Sequence, residues 1–166
     1  MSRADVWAAG ELYEPYVGRW SRLVAREFVA GLAIPEGREW LDVGCGTGAL
    51  TQAILAASKP RRVMGIDPSP GFIEYGRAHT RDPRASFAVG DAQALTVESA
   101  SVDAVVSGLV LNFVPNPVRA LSEMARSCAA GRNARRLCEG LRRQDGAHAL
   151  LLGRRRRARS QGRRPR

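Results

Sequence analysis

Leu41-Asp42-Val43-Gly44-Cys45-Gly46-Thr47-Gly48 decides the fold, because an apolar run breaks there into a glycine at every second position. Trp40-Leu41-Asp42-Val43 reads as a strand. A helix starts near Gly48, carries Leu50, Ala53, Ile54 and Ala57, and is ended by Lys59-Pro60. The glycines let the backbone turn tightly and let a ligand approach without meeting a Cβ. The helix N-terminus behind them presents free N–H groups to a polar ligand. A loop of this kind can also be a plain structural turn. Gly44-x-Gly46-x-x-Ala49 further satisfies a relaxed dinucleotide fingerprint.

Moving outward, the same unit repeats. Arg62-Val63-Met64-Gly65-Ile66 predicts a second strand ending at Asp67, and Pro68 and Pro70 mark the turn into a helix from Pro70 to His79. Ser86-Phe87-Ala88-Val89 predicts a third strand ending at Gly90-Asp91. Val102 to Ser107 predicts a fourth, and a helix follows over Asn116–Ser127 with Val118, Leu121, Met124 and Ala125 as its apolar face. Before the glycine loop, Leu23, Val24, Phe28 and Leu32 line one helical face, with Ser21 as a cap and Gly31 and Pro35 as stops. Strands alternating with helices imply an α/β, Rossmann-like parallel sheet with helices on both faces. Ligands of such sheets bind beyond the carboxyl ends of the strands, where Gly44, Asp67, Asp91 and Ser107 all fall.

Asp67 lies 19 residues past Gly48. A carboxylate there can accept hydrogen bonds from two ribose hydroxyls, or it can form a turn before Pro68. It suits a nicotinamide dinucleotide and S-adenosylmethionine equally. Asp91, at the end of the third strand, is placed to hold an adenine amino group. Asp42 sits inside the first strand, where a buried carboxylate needs partners. Loop amides, or the ammonium of an amino-acid ligand reached through water, would supply them.

Four segments taken together resemble the class I S-adenosylmethionine-dependent methyltransferases, in their UbiE-like or type 11 branch. They are Leu41–Gly48, Gly65-Ile66-Asp67-Pro68-Ser69, Val89-Gly90-Asp91-Ala92, and Ser101–Ser107 followed by Asn112-Phe113-Val114. Tyr13-Glu14-Pro15-Tyr16-Val17-Gly18-Arg19-Trp20-Ser21 is similar to the segment whose aromatics cover the cofactor in that branch. The resemblance covers about residues 10–128. It implies S-adenosyl-L-methionine as cofactor and a small-molecule methyl acceptor. It also implies that Gly44, Cys45, Gly46, Thr47 and Gly48, with Asp42, contact the amino-acid part. Asp67 would hold the ribose, and Pro68 or Ser69 would lie beside the adenine. Asp91 and Ala92 would bind adenine, Ser107 would line the transfer site, and Tyr16 would close over it. No catalytic base is implied.

Composition agrees with an enzyme-like domain at 1–128, including an N-terminal cap helix within 1–32, and a separate tail at 129–166. The whole chain has a net charge of +10 over 166 residues. Residues 1–130 hold 13 Lys+Arg against 14 Asp+Glu, whereas residues 131–166 hold 13 arginines against Glu139 and Asp145. Such a tail is expected to be disordered. Its arginines suit nucleic-acid phosphates, but the absence of aromatics and of any recognisable module disfavours that partner. Cys45, Cys128 and Cys138, with His79 and His148, have no metal-ligand spacing. No apolar run approaches the length of a membrane span and Met1–Asp5 lacks a signal pattern, so a cytoplasmic location is expected. Two other readings stand beside the methyltransferase: a nicotinamide-dependent oxidoreductase, and a non-enzymatic remnant that binds nucleic acid.

The family continues after the helix at 116–127 with a Pro-Gly-Gly turn and a fifth strand, but this chain reads Cys128-Ala129-Ala130-Gly131-Arg132-Asn133-Ala134-Arg135-Arg136. With suitable third bases, the codons for Ala129–Leu137 read one nucleotide later spell R-P-G-G-T-L-G-G-Y, which resembles the missing turn and strand. A frameshift near Cys128 is therefore expected, leaving the domain truncated after the fourth strand and its helix. The nucleotide sequence of the gene checks this. If the shifted frame does not encode that turn and strand, the frameshift is wrong.

Overall fold

A computed structural model describes residues 19–32, 34–129 and 149–153. Helix α1 (Arg19–Leu32) leads to β1 (Glu39–Val43), α2 (Ala49–Ser58), β2 (Arg62–Asp67), α3 (Pro70–His79) and β3 (Ala85–Val89). Then come β4 (Ala104–Gly108), α4 (Pro117–Ser127) and β5 (Ala149–Gly153). The sheet order is β3-β2-β1-β4-β5, with the first four strands parallel. The register sets Trp40 beside Val63 and Ala104, and Asp42 beside Gly65 and Val106. Parallel alignment brings the carboxyl ends of β1 to β4 to one edge of the domain.

Alternation along the central strands divides the core. Trp40, Val63, Ala104 and Val106 pack under α1 and α2, against Ala25, Val29, Leu50, Ala53 and Ile54. Leu41, Val43, Ile66 and Val105 face the other way, against Ala92, Leu95, Ala120 and Met124. This two-residue period is what a strand buried on both faces requires.

The helix ends follow local chemistry. Ser69 caps α3, its Oγ accepting from the Phe72 N–H at 3.4 Å, and Pro70 fills the first turn. Asn116 caps α4 by accepting from the Arg119 N–H at 3.0 Å, ahead of Pro117. Lys59 ends α2 in a left-handed conformation, φ 42°. Arg126 ties α4 to the chain between β3 and β4. Its guanidinium donates to the carbonyls of Leu95 and Val97 and to Glu123.

Three expectations change. Ser21 lies inside α1, not at its cap, because the helix begins at Arg19. Val118 is 71% exposed, since α4 turns Ala120, Met124 and Ser127 inward instead. The parallel sheet does end at β4, but the edge of β4 is not left open. β5 pairs with it antiparallel, from Ala104↔Gly153 to Gly108↔Ala149, and Val105 is fully buried. Ala149-Leu150-Leu151-Leu152-Gly153 has no two-residue period, which is the signal that marks a strand in sequence. Apart from Ala129 and β5, the expected disordered tail lies outside the described residues.

Candidate cofactor site

The glycine loop leaves β1 with three left-handed residues, Gly44 (φ 73°), Gly46 (φ 54°) and Gly48 (φ 92°). Side chains rarely adopt such conformations, so the spacing of the glycines follows from the turn itself. The loop is fastened to β2. The Gly44 and Cys45 N–H groups both donate to the Ile66 carbonyl, at 2.7 and 3.1 Å. Among the described residues, no side chain caps the N-terminus of α2 behind it.

The glycines are not equivalent. A Cβ on Gly44 would overlap the Val110 side chain, whereas a Cβ on Gly46 would meet nothing within 4 Å among the described residues. Gly44 therefore seats the β4–α4 connection, and Gly46 leaves its side of the loop open. Gly44→Ala combines a strained backbone with a clash and is expected to cost about 3 kcal/mol of stability. Gly46→Ala is expected to cost about 1 kcal/mol. Chemical denaturation of both variants, with Val110→Ala as partial rescue of the first, checks the difference.

Asp67 joins the loop to β2. It is 7% exposed, and its Oδ2 accepts from the Gly46 N–H at 3.0 Å while Oδ1 accepts from the Ser69 N–H at 2.9 Å. Burial raises its pKa, and those two N–H groups hold the rise back. Each oxygen keeps lone pairs for a further donor. The Gly90 N–H donates to the Asp67 carbonyl at 3.1 Å, drawing the end of β3 into the same group.

Asp42 is fully buried. Thr51 Oγ1 donates to its Oδ2 at 2.7 Å, and its Oδ1 has no partner among the described residues. Burial, with Asp67 adding repulsion and Thr51 opposing, pushes its pKa up to about 7. The loop amides expected to satisfy it are instead turned to Ile66 and Asp67. Thr51 was missed in the sequence. It lies one turn into α2, where a side chain points back at the strand end, and only that placement signals it.

Cys45 is buried against Ile73 and Phe87, and burial beside Asp42 and Asp67 pushes its thiol well up. It is an inert packing group. Thr47 is also buried. Pro68 is exposed and Ser69 half-buried beside Asp67. Asp91 is exposed, and hydrogen bonds from the Gln93 N–H and side chain hold its pKa below the ordinary value. Ala92 packs into the core, so any contact it makes with a ligand is through its backbone. Ser107 is 2% exposed and its Oγ has no partner among the described residues. Tyr16 lies outside the described residues. Asp42, Gly44–Gly48, Asp67–Ser69, Asp91 and Ser107 thus all lie at the carboxyl edge of the sheet. A separate open cleft of about 290 Å³, lined by residues that include Gln52, Leu55, His79 and Arg81, contains none of them.

Comparison with known proteins gives this edge a context. Residues 41–132 match the family model described as a methyltransferase domain. Malonyl-[acyl-carrier protein] O-methyltransferase of Hahella chejuensis is 36% identical over 101 residues, covering 61% of this chain and 36% of that protein. Demethylmenaquinone methyltransferase of Symbiobacterium thermophilum is 34% identical over 119 residues, covering 69% and 47%. The chain therefore spans less than half the length of these relatives. The methyltransferase solved in complex with the Haloferax volcanii Trm112 activator superposes with a TM-score of 0.67 at 30% identity, covering 77% of this chain and 56% of that one. With its glycine loop and Asp67 inside the matched span and its parallel sheet superposing on a solved relative, this chain belongs to the methyltransferase domain family.

Proposed function

We propose that this chain holds S-adenosyl-L-methionine at the carboxyl edge of its sheet and serves methyl transfer to a small-molecule acceptor in the cytoplasm. One observation carries the reading. Asp67, at the end of β2, grips the N–H of Gly46, the glycine whose Cβ position is open. That unit sets a ribose acceptor beside a cradle for the amino-acid end of the cofactor. The buried Asp42 Oδ1 and Ser107 Oγ fit the same group, because neither has a polar partner among the described residues and a ligand can supply one.

In this reading Gly44 to Gly48 line the amino-acid end. The remaining lone pairs of Asp67 accept from two ribose hydroxyls, Pro68 and Ser69 flank the adenine, and Asp91 accepts from its amino group. Tyr16 covers the cofactor from the N-terminal side. The cofactor, when bound, supplies a methyl group on a sulfonium, already activated for attack. The protein has only to align the acceptor and exclude water, so no general base is required. The family favours this cofactor over a nicotinamide dinucleotide. The two relatives are named for different acceptors, a malonyl group on a carrier protein and demethylmenaquinone, and the acceptor here stays a chemical class.

Calorimetry and thermal shift of the purified chain with S-adenosylhomocysteine test the cofactor. A saturable heat with a rise in Tm is expected, whereas no heat and no shift at millimolar ligand would sink the reading. Methyl transfer is then measured as S-adenosylhomocysteine formed over a panel of small acceptors.

A further inference from the structure

Among the described residues, no cation acts on Asp42. Its neighbours across the sheet are Gly65 and Val106. Helix α2, which contributes Thr51, has no charged residue in its sequence ALTQAILAAS. Of the charged residues on α1 whose side chains are described, Arg26 and Glu27 are exposed. The titratable groups that do face Asp42 are Asp67, whose charge opposes a second one there, and the Cys45 thiol, which is neutral. A fully buried carboxyl with one hydroxyl donor and a second carboxylate close by holds its proton. Thr51 fixes Oδ2, and Oδ1 has no partner among the described residues. Directly after Asp42 in the chain comes the glycine loop, open at Gly46.

We propose that Asp42 is a proton-coupled counter-ion: it carries a proton in the ligand-free protein and releases it when the α-ammonium of the ligand's amino-acid end docks at the glycine loop. The inference rests on the proposed cofactor reading and adds a regulation to it. The O–H bond of Asp42 breaks, its proton passes to the solvent, and the ammonium keeps all its own protons. The arriving cation is the partner that the site lacks, and it makes the ionised carboxylate favourable where burial had made it costly. Affinity then rises with pH as Asp42 ionises, and the rise levels off once the free protein has lost the proton.

Titration calorimetry of the full chain with S-adenosylhomocysteine at pH 6.5, in phosphate and in imidazole buffer, reads the proton directly. More than about half a proton is expected to leave per ligand bound, with affinity about tenfold weaker at pH 6 than at pH 8. Methylthioadenosine, which lacks the amino-acid end, is expected to bind without releasing a proton. Asp42→Asn is expected to bind S-adenosylhomocysteine with equal heats in both buffers and no pH dependence. Equal heats in the wild-type protein overturn the proposal and leave the cofactor reading standing, as does proton release on binding methylthioadenosine. No binding at any pH overturns both.

Discussion

Asp67→Ala is expected to lower the affinity for S-adenosylhomocysteine by at least about a hundredfold. Two ribose hydroxyls would lose a charged acceptor, at about 1.5–3 kcal/mol each, and every 1.4 kcal/mol is about tenfold. The loop also loses an anchor, because the Gly46 and Ser69 N–H groups both end on this carboxylate. Stability should change far less than affinity. Burial already disfavours the ionised form of Asp67, so removing the charge relieves a desolvation cost while two hydrogen bonds are lost. Asp67→Asn, which retains one acceptor oxygen, should fall between. Calorimetry against S-adenosylhomocysteine, with a thermal scan of each variant, checks this. An Asp67→Ala protein that binds within threefold of the wild type would remove Asp67 from the site.

The second large effect is on stability and concerns Asp42→Asn. Burial places the folded-state pKa of Asp42 at about 7, against an ordinary 3.8. Below pH 3.8 the group is neutral in both states and costs nothing. Between pH 3.8 and 7 the unfolded chain ionises while the folded one keeps its proton, so stability falls as pH rises. The slope approaches 1.4 kcal/mol per pH unit and the loss levels off above pH 7. The wild type should therefore lose on the order of 4 kcal/mol between pH 4 and pH 8 that Asp42→Asn keeps. The Asn carbonyl still accepts from Thr51, so the comparison is not confounded by a lost partner. Denaturant titrations at pH 4.5 and pH 8 decide it. If both proteins show the same pH dependence, Asp42 is ionised in the folded state after all.

The parts legible from sequence are those set by periodicity and by residues with a fixed backbone role. Gly44, Gly46 and Gly48 announced the turn because few other residues adopt its angles, and Pro70 and Asn116 marked helix starts within a residue. Asp67 and Asp91 were legible because a parallel sheet delivers its strand ends to one edge. Contacts made by the third dimension were not. Nothing in the sequence pairs Thr51 with Asp42, or seats Val110 on Gly44 across 66 positions. The clasp of Arg126 on the Leu95 and Val97 carbonyls uses backbone acceptors, which leave no side-chain signature. Val118 was misplaced because an apolar residue at a helix start satisfies the pattern whether or not anything lies opposite. β5 was missed because three leucines in a row carry no alternation.

The register that sets Trp40 beside Ala104 has a consequence for how the chain acquires its shape. β1 pairs with β2 across a short helical crossover, so those two strands can meet early. Its other neighbour lies 64 residues further along the chain, and closing so large a loop is entropically slow. During synthesis β1 therefore emerges with one side paired and the other waiting, and the pocket under α1 and α2 stays open to water until Ala104 and Val106 arrive. The glycine loop is attached to β2 through Ile66, so its fastening does not depend on that late step. The glycine turn can thus be in place before the middle of the sheet is complete.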